Sequence, residues 1–204
     1  MCDTQHPHFD IVAIGCSAGG LQAARALLSA LPRPFPGVVV LCMHRPVHRE
    51  SHLATILTKA CHFPVVVARH GEVLEQGICY IGSPDMHLAA GPGLIAQFIH
   101  NGFYRGHNID LLFQSLARHA GSRTIGVLLS GLAKDGVEGL RAIKETGGRA
   151  LVQSPSEAEF NELPRSALVY DGEIDMVAPV RDLALEIGRL VDVGRDSDAR
   201  EIVA

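Results

Sequence analysis

Six residues, Gly15-Cys16-Ser17-Ala18-Gly19-Gly20, stand between the apolar run Phe9-Asp10-Ile11-Val12-Ala13-Ile14 and an amphipathic stretch from Leu21 to Leu31. A small-residue turn joining a strand-like to a helix-like segment is the joint of a βα unit, and it commits the chain to a sheet with helices laid on its faces. The rest of the chain repeats that alternation. Strand-like runs fall at 9–15, 37–43, 63–68, 124–129, 149–153 and 174–177, and helical periodicity at 20–31, 50–60, 109–120, 136–146 and 181–192. The expected fold is therefore α/β, a three-layer αβα sandwich around a mostly parallel sheet. Between 72 and 100, Ile78 to Ile81, His87 to Ala90 and Leu94 to Phe98 are separated by glycine and proline, which predicts a small addition of short antiparallel strands. No internal repeat or low-complexity tract interrupts the pattern, and the polar end from Gly194 to Glu201 is expected to fray.

The turn itself has three readings: a structural turn, a phosphate or nucleotide cradle, and a nucleophile lifted clear of the sheet beside a helix N-terminus. A dinucleotide fold requires G-x-G-x-x-G and an acidic residue about twenty positions on, at the end of the second strand. Here Ser17 breaks the glycine spacing, and the second strand, Gly37 to Met43, ends in His44. In an open parallel sheet catalytic groups collect beyond the carboxyl ends of strands, where both Ser17 and His44 fall. A third member comes from Thr124-Ile125-Gly126-Val127-Leu128-Leu129-Ser130-Gly131-Leu132-Ala133-Lys134-Asp135-Gly136, an apolar run that enters a loop and closes on Asp135.

Each residue also has a plainer role. Asp135 followed by Glu138 has the form of a capping box for the helix that starts near Val137, although a carboxylate with about four acceptor sites can cap a helix and hold an imidazole together. His44 alone could be a hydrogen-bonded loop histidine. Gly15 to Gly19 satisfies G-x-S-x-G, but the order Ser17, His44, Asp135 differs from the Ser, acid, His order of α/β-hydrolases, while triads recur on unrelated folds in any order.

Taken together, several segments resemble the catalytic domain of the CheB chemotaxis methylesterases. They are Ile14 to Gly20, His44-Arg45-Pro46, His70-Gly71-Glu72, Cys79-Tyr80-Ile81, Arg105 to Ser115 around Asn108-Ile109-Asp110, Val127 to Gly136 and Leu163-Pro164-Arg165, spanning roughly residues 9 to 179. The resemblance implies a serine hydrolase that removes methyl esters from glutamates of chemoreceptors and deamidates certain glutamines. It puts the nucleophile at Ser17, the base at His44 and the orienting carboxylate at Asp135. Oxyanion and substrate candidates are Ala18, Gly19, Gly20, Gly131, Leu132 and the rim cation Arg45. The chain departs from the family pattern at Ala18, where threonine is usual, at Gly131-Leu132-Ala133 in place of Gly-Met-Gly, and at Asn161-Glu162-Leu163 in place of the usual Gly-Met before Pro-Arg. These departures leave the triad intact and bear on substrate choice. The other function classes are a catalytically inactive signalling domain of the same fold and a nucleotide-binding module.

With 204 residues, 47% of them hydrophobic, the chain can bury one sizeable core, and a single domain over 1–204 with its core at about 9–192 is expected. About eight residues precede the first strand, so no receiver domain is expected ahead of it, and control is expected from a separate regulatory protein, from localisation or not at all. A net charge of −4 gives no electrostatic footing for nucleic acid. No apolar run reaches a bilayer's span and no signal peptide opens the chain, so a cytoplasmic enzyme without membrane insertion is expected, its partner a methylated chemoreceptor or related signalling protein. Five cysteines without paired spacings point to reduced thiols, and strand alternation turns Cys16 into the core rather than making it the nucleophile. His48 and His52 could share a helix face, but an incidental surface pair explains them. No metal and no cofactor is expected.

Overall fold

The computed structural model describes residues 10–45, 51–84, 86–99, 106–132, 134–169 and 173–201, with side chains described to residue 191. Nine strands and six α-helices follow in the order β1 (Ile11–Cys16), α1 (Gly20–Ala30), β2 (Val38–Met43), α2 (Leu53–Thr58), β3 (Val65–Val67), β4 (Cys79–Ile81), β5 (His87–Gly91), β6 (Ile95–Ile99), α3 (Asn108–Ala120), β7 (Thr124–Leu128), α4 (Val137–Glu145), β8 (Arg149–Gln153), α5 (Glu162–Val169), β9 (Met176–Ala178) and α6 (Val180–Glu201). Seven strands form one sheet in the order β3-β4-β2-β1-β7-β8-β9, and each pair in it is parallel. The small second sheet is the antiparallel hairpin of β5 and β6.

The central strand shows why the sequence folds this way. All six residues of β1 are buried, as expected for a parallel strand covered on both faces, and side-chain alternation divides them between two cores. Val12, Ile14 and Cys16 pack with Leu27 and Leu28 of α1 and with Leu183 and Ile187 of α6. Ile11 and Ala13 face the other way, toward Ile109, Leu112, Phe113 and Leu116 of α3, Leu140 of α4 and Leu163 of α5, with Leu88 and Ala96 of the hairpin in the same layer. The expected αβα sandwich is therefore observed, with helices on both faces.

Three elements differ from the sequence expectation. Ile78 to Ile81 was expected as part of the antiparallel addition, but β4 lies inside the main sheet, parallel to both neighbours through Val39↔Cys79 and Val65↔Cys79. Its three buried residues are the reason, because a strand without a polar face belongs where both faces are covered. Helix α5 was not expected, since its sequence includes Pro164. That proline is the third residue of the helix, within the first turn, where no intrahelical N–H donor is required. On α2 the helix is shorter than the expected 50–60, and residues 46–50 lie outside the described set.

Candidate active site

Strand β1 runs into a tight turn in which the Gly20 amide donates to Ser17 O at 3.0 Å, and α1 starts immediately afterwards. Gly19 makes this turn possible: its φ is +68°, and a Cβ there would lie 2.7 Å from Ser130 Oγ and 2.8 Å from Phe160 Cδ2. The Ser17 amide is fixed by donation to Ser130 O at 3.0 Å. Its side chain is left half-buried beside the N-terminal end of α1. One strand over, Cys16 pairs with Met43 and Cys16 O accepts from the His44 amide at 3.2 Å. Ser17 and His44 are thus the first residues beyond two adjoining parallel strands.

The third predicted residue meets the second. Asp135 is buried, and its Oδ2 lies 2.6 Å from His44 Nε2. An ionised carboxylate can only accept, so Nε2 carries the hydrogen and Nδ1 is left as the acceptor nitrogen of the ring. Two amides at the start of α3 also donate to this carboxylate, Ile109 to Oδ2 and Asp110 to Oδ1, each at 2.9 Å. The structure therefore joins His44 to Asp135, with Ser17 at the end of the strand adjoining that of His44 and no Ser17–His44 hydrogen bond among the described residues.

The expected capping box at α4 is corrected by this geometry. Asp135 caps α3, not α4, whose first residues are capped from α3 instead: Asp110 Oδ1 accepts from the Gly136 and Gly139 amides, each at 2.8 Å. Each helix holds the other's N-terminus through a carboxylate, a favourable placement of negative charge at both ends. Burial raises the Asp110 carboxyl above its usual range, the Gly139 amide opposes that, and the neighbouring Asp135 charge adds to the rise. His107, Asp110 and Asp135 also bring potential metal-ligand atoms within 4.8 Å of one another. Amides and His44 occupy three of the four carboxylate oxygens, and His107 Nδ1 lies 3.5 Å from the fourth, so this cluster is accounted for by capping.

Of the expected oxyanion and substrate residues, three are committed elsewhere. The Gly20 amide donates to Ser17 O and the Gly131 amide to Phe160 O, so neither is free to meet a developing oxyanion. Arg45 is not a rim cation: its guanidinium donates to Ser51 Oγ at 2.6 Å and makes a short bond to Gly82 O, tying the end of β2 to the residue after β4. Among the described residues, the amides of Ala18, Gly19 and Leu132 have no acceptor, and Leu132 is 54% exposed. The buried Cys16 thiol has its pKa raised by desolvation to about 12, which removes it as a nucleophile at neutral pH. Pro46, His48 and Arg105, also named in the sequence reading, lie outside the described residues.

Sequence reasoning missed the residues that hold the serine turn. Ser130 Oγ donates to Ala18 O at 2.9 Å and accepts from the Phe160 amide at 3.0 Å, and the Ser130 amide donates to Gln153 Oε1 at 2.9 Å. A buried serine directly after an apolar strand was the available signal, because a buried hydroxyl requires partners. Asp110, an acidic residue in the first turn of α3, was visible only as part of a motif.

A serine at a strand-to-helix turn, an imidazole at the next strand end and a buried aspartate bonded to it stand at the carboxyl ends of the strands of an α/β protein, where such folds carry their sites. A family model described as CheB methylesterase matches residues 12–187. The protein-glutamate methylesterase/protein-glutamine glutaminase of Moorella thermoacetica is 34% identical over 200 residues, covering 92% of this chain and 45% of that protein. A protein of the same name from Pseudomonas syringae pv. syringae is 33% identical, covering 90% of this chain and 54% of its own length. Among solved structures, the Thermotoga maritima CheB methylesterase catalytic domain superposes with a TM-score of 0.81 at 27% identity, over 91% of this chain and 98% of that one. The chain belongs to the CheB methylesterase family, and it spans about half the length of these two curated relatives.

Proposed function

We propose that this chain is a protein-glutamate methylesterase that acts on methylated chemoreceptor-type signalling proteins through Ser17, His44 and Asp135, and that the same site deamidates certain glutamines. The observation that carries this reading is the 2.6 Å contact of His44 Nε2 with buried Asp135 at a strand end adjoining Ser17. A hydroxyl is a poor nucleophile until a base takes its proton, so His44 Nδ1 accepts it as Ser17 Oγ attacks the ester carbonyl. Asp135 fixes the ring's tautomer and stabilises the imidazolium. The amides of Ala18, Gly19 and Leu132 are the donors left for the oxyanion, and loss of one such donor typically costs about 3–4 kcal/mol of barrier. His44 then protonates departing methanol, and water hydrolyses the acyl-enzyme by the same route. With a glutamine amide the leaving group is ammonia.

The test is methanol release from methylated receptor fragments, comparing wild type with Ser17→Ala. Because triad members act as a unit, activity in the variant should fall about 10⁴-fold or more. Equal turnover by the two proteins removes Ser17 from the chemistry. A fluorophosphonate probe separates the esterase from an inactive scaffold: it should label wild type and not Ser17→Ala, and a folded wild type that takes no label favours the scaffold.

Further features of the proposal are a cytoplasmic location and control by a separate regulatory protein. Among the described residues no helix is long and apolar enough to cross a membrane.

A further inference from the structure

A cavity of about 580 Å³ opens beside Asp135. Asp135 lines it, together with Lys134, Glu138 and Val137 from the start of α4, and Arg165 and Val169 of α5. Its charged walls are unequal in what they leave free. The Asp110 and Asp135 carboxylates are turned to backbone amides, His44 and His107, and Glu138 lies 4.0 Å from Arg141 on its own helix. Lys134 and Arg165 are exposed, and their side chains have no ion pair or hydrogen bond among the described residues. The lining beside them is partly apolar, with Val169 87% exposed.

A glutamyl methyl ester is uncharged and so is methanol, so two unpaired cations have nothing to bind on the reacting group before it is hydrolysed. Their complement is a carboxylate elsewhere on the same target. We infer that Lys134 and Arg165 form a specificity site for acidic side chains flanking the modified glutamate, so that the cleft selects an amphipathic, acidic segment over a neutral one. This rests on the esterase reading and names what the cleft recognises beyond the ester. Such rim cations give selectivity and faster encounter more than raw affinity, with a strong dependence on salt.

The test uses two synthetic methyl-ester peptides, identical except for Glu or Gln at positions one helical turn to either side of the modified residue. Wild type should favour the Glu-flanked peptide by about fivefold in kcat/KM, carried by KM, which is the size two exposed pairs allow. In the Lys134→Gln/Arg165→Gln protein the ratio should fall to about one. In Lys134→Glu/Arg165→Glu it should invert toward a Lys-flanked ester peptide, a result that a structural role for these side chains does not produce. The wild-type ratio should also shrink as salt rises from 20 to 500 mM, a readout independent of whether the variants fold. A wild type that hydrolyses both peptides equally, or a preference that survives in the double variant or in high salt, overturns this inference alone. Hydrolysis of neither peptide overturns it together with the esterase reading.

Discussion

Asp135 accepts three hydrogens at once, from His44 Nε2 and from the amides of Ile109 and Asp110, with its side chain only 1% exposed. Its removal therefore leaves three buried or half-buried donors without an acceptor, each costing about 1–3 kcal/mol. Asp135→Ala should lower the stability to urea by about 3 kcal/mol and abolish fluorophosphonate labelling. Asp135→Asn keeps one acceptor oxygen, which can meet the Asp110 amide but not also the Ile109 amide on the other side of the carboxylate, so it should recover only part of the stability, and its NH₂ cannot take a hydrogen from Nε2. Labelling should still be lost, and an Asn variant that labels at the wild-type rate contradicts the orienting role. The thiols give a second check at this scale. Burial pushes Cys16 up to about 12 and moves Cys42 and Cys79 upward too, so these three should resist iodoacetamide at pH 8 in the native protein and react in denaturant. All three catalytic candidates were legible in the sequence because each follows an apolar strand. Which helix Asp135 caps was not, because the partner amides lie 25 and 26 residues away and no local pattern records them.

Helices α3 and α4 are the elements that keep the Asp135 carboxylate in place, and they pack closely through glycine. A Cβ on Gly139 would sit 2.5 Å from Phe113 Cβ and 3.0 Å from the Asp110 Cα, and one on Gly136, whose φ is +105°, would sit 2.6 Å from Ile109 Cγ2. With the helices this near, Asp110 and Asp135 can each reach the other helix's free amides. Asp110→Ala orphans the buried amides of Gly136 and Gly139, and should cost about 2–4 kcal/mol by urea denaturation. Asp110→Asn can keep Oδ1 on both amides and should lose less. If both variants match wild type, the exchanged capping carries no stability. Periodicity in the sequence showed both helices but could not show their contact. The same limit hid α5, whose proline reads as a breaker until its place in the first turn is known.

Across the molecule, the candidate site depends on the loops at the carboxyl ends of β1, β2 and β7, and the opposite ends of the strands are held by ion pairs that touch none of Ser17, His44 and Asp135 among the described residues. Arg123 grips Asp10 with two bonds, Nε to Oδ1 at 3.0 Å and Nη2 to Oδ2 at 2.6 Å, before β7 and β1 begin. Asp175 joins three elements, accepting from Lys144 of α4, from Arg149 and the Ala150 amide of β8, and standing directly before β9. Sequence alternation gave the order of these elements, but not that one carboxylate links three of them. Burial alone would raise the Asp175 carboxyl, and the Ala150 amide, Lys144 and Arg149 outweigh it, so its pKa lies below the ordinary range. The sign of the linkage follows. A carboxyl depressed on folding stabilises the fold above its unfolded pKa of about 3.9, and that contribution is lost as pH falls through the folded value. Asp175→Asn should therefore cost about 1 kcal/mol at pH 7, a modest figure for a group partly open to solvent. The gap between wild type and variant should narrow as pH falls below 4 and close where both carry a neutral side chain. Urea midpoints at pH 7, 5 and 3 measure it, and a gap that stays constant or widens toward acid would show that the ionised carboxylate is not what joins α4, β8 and β9.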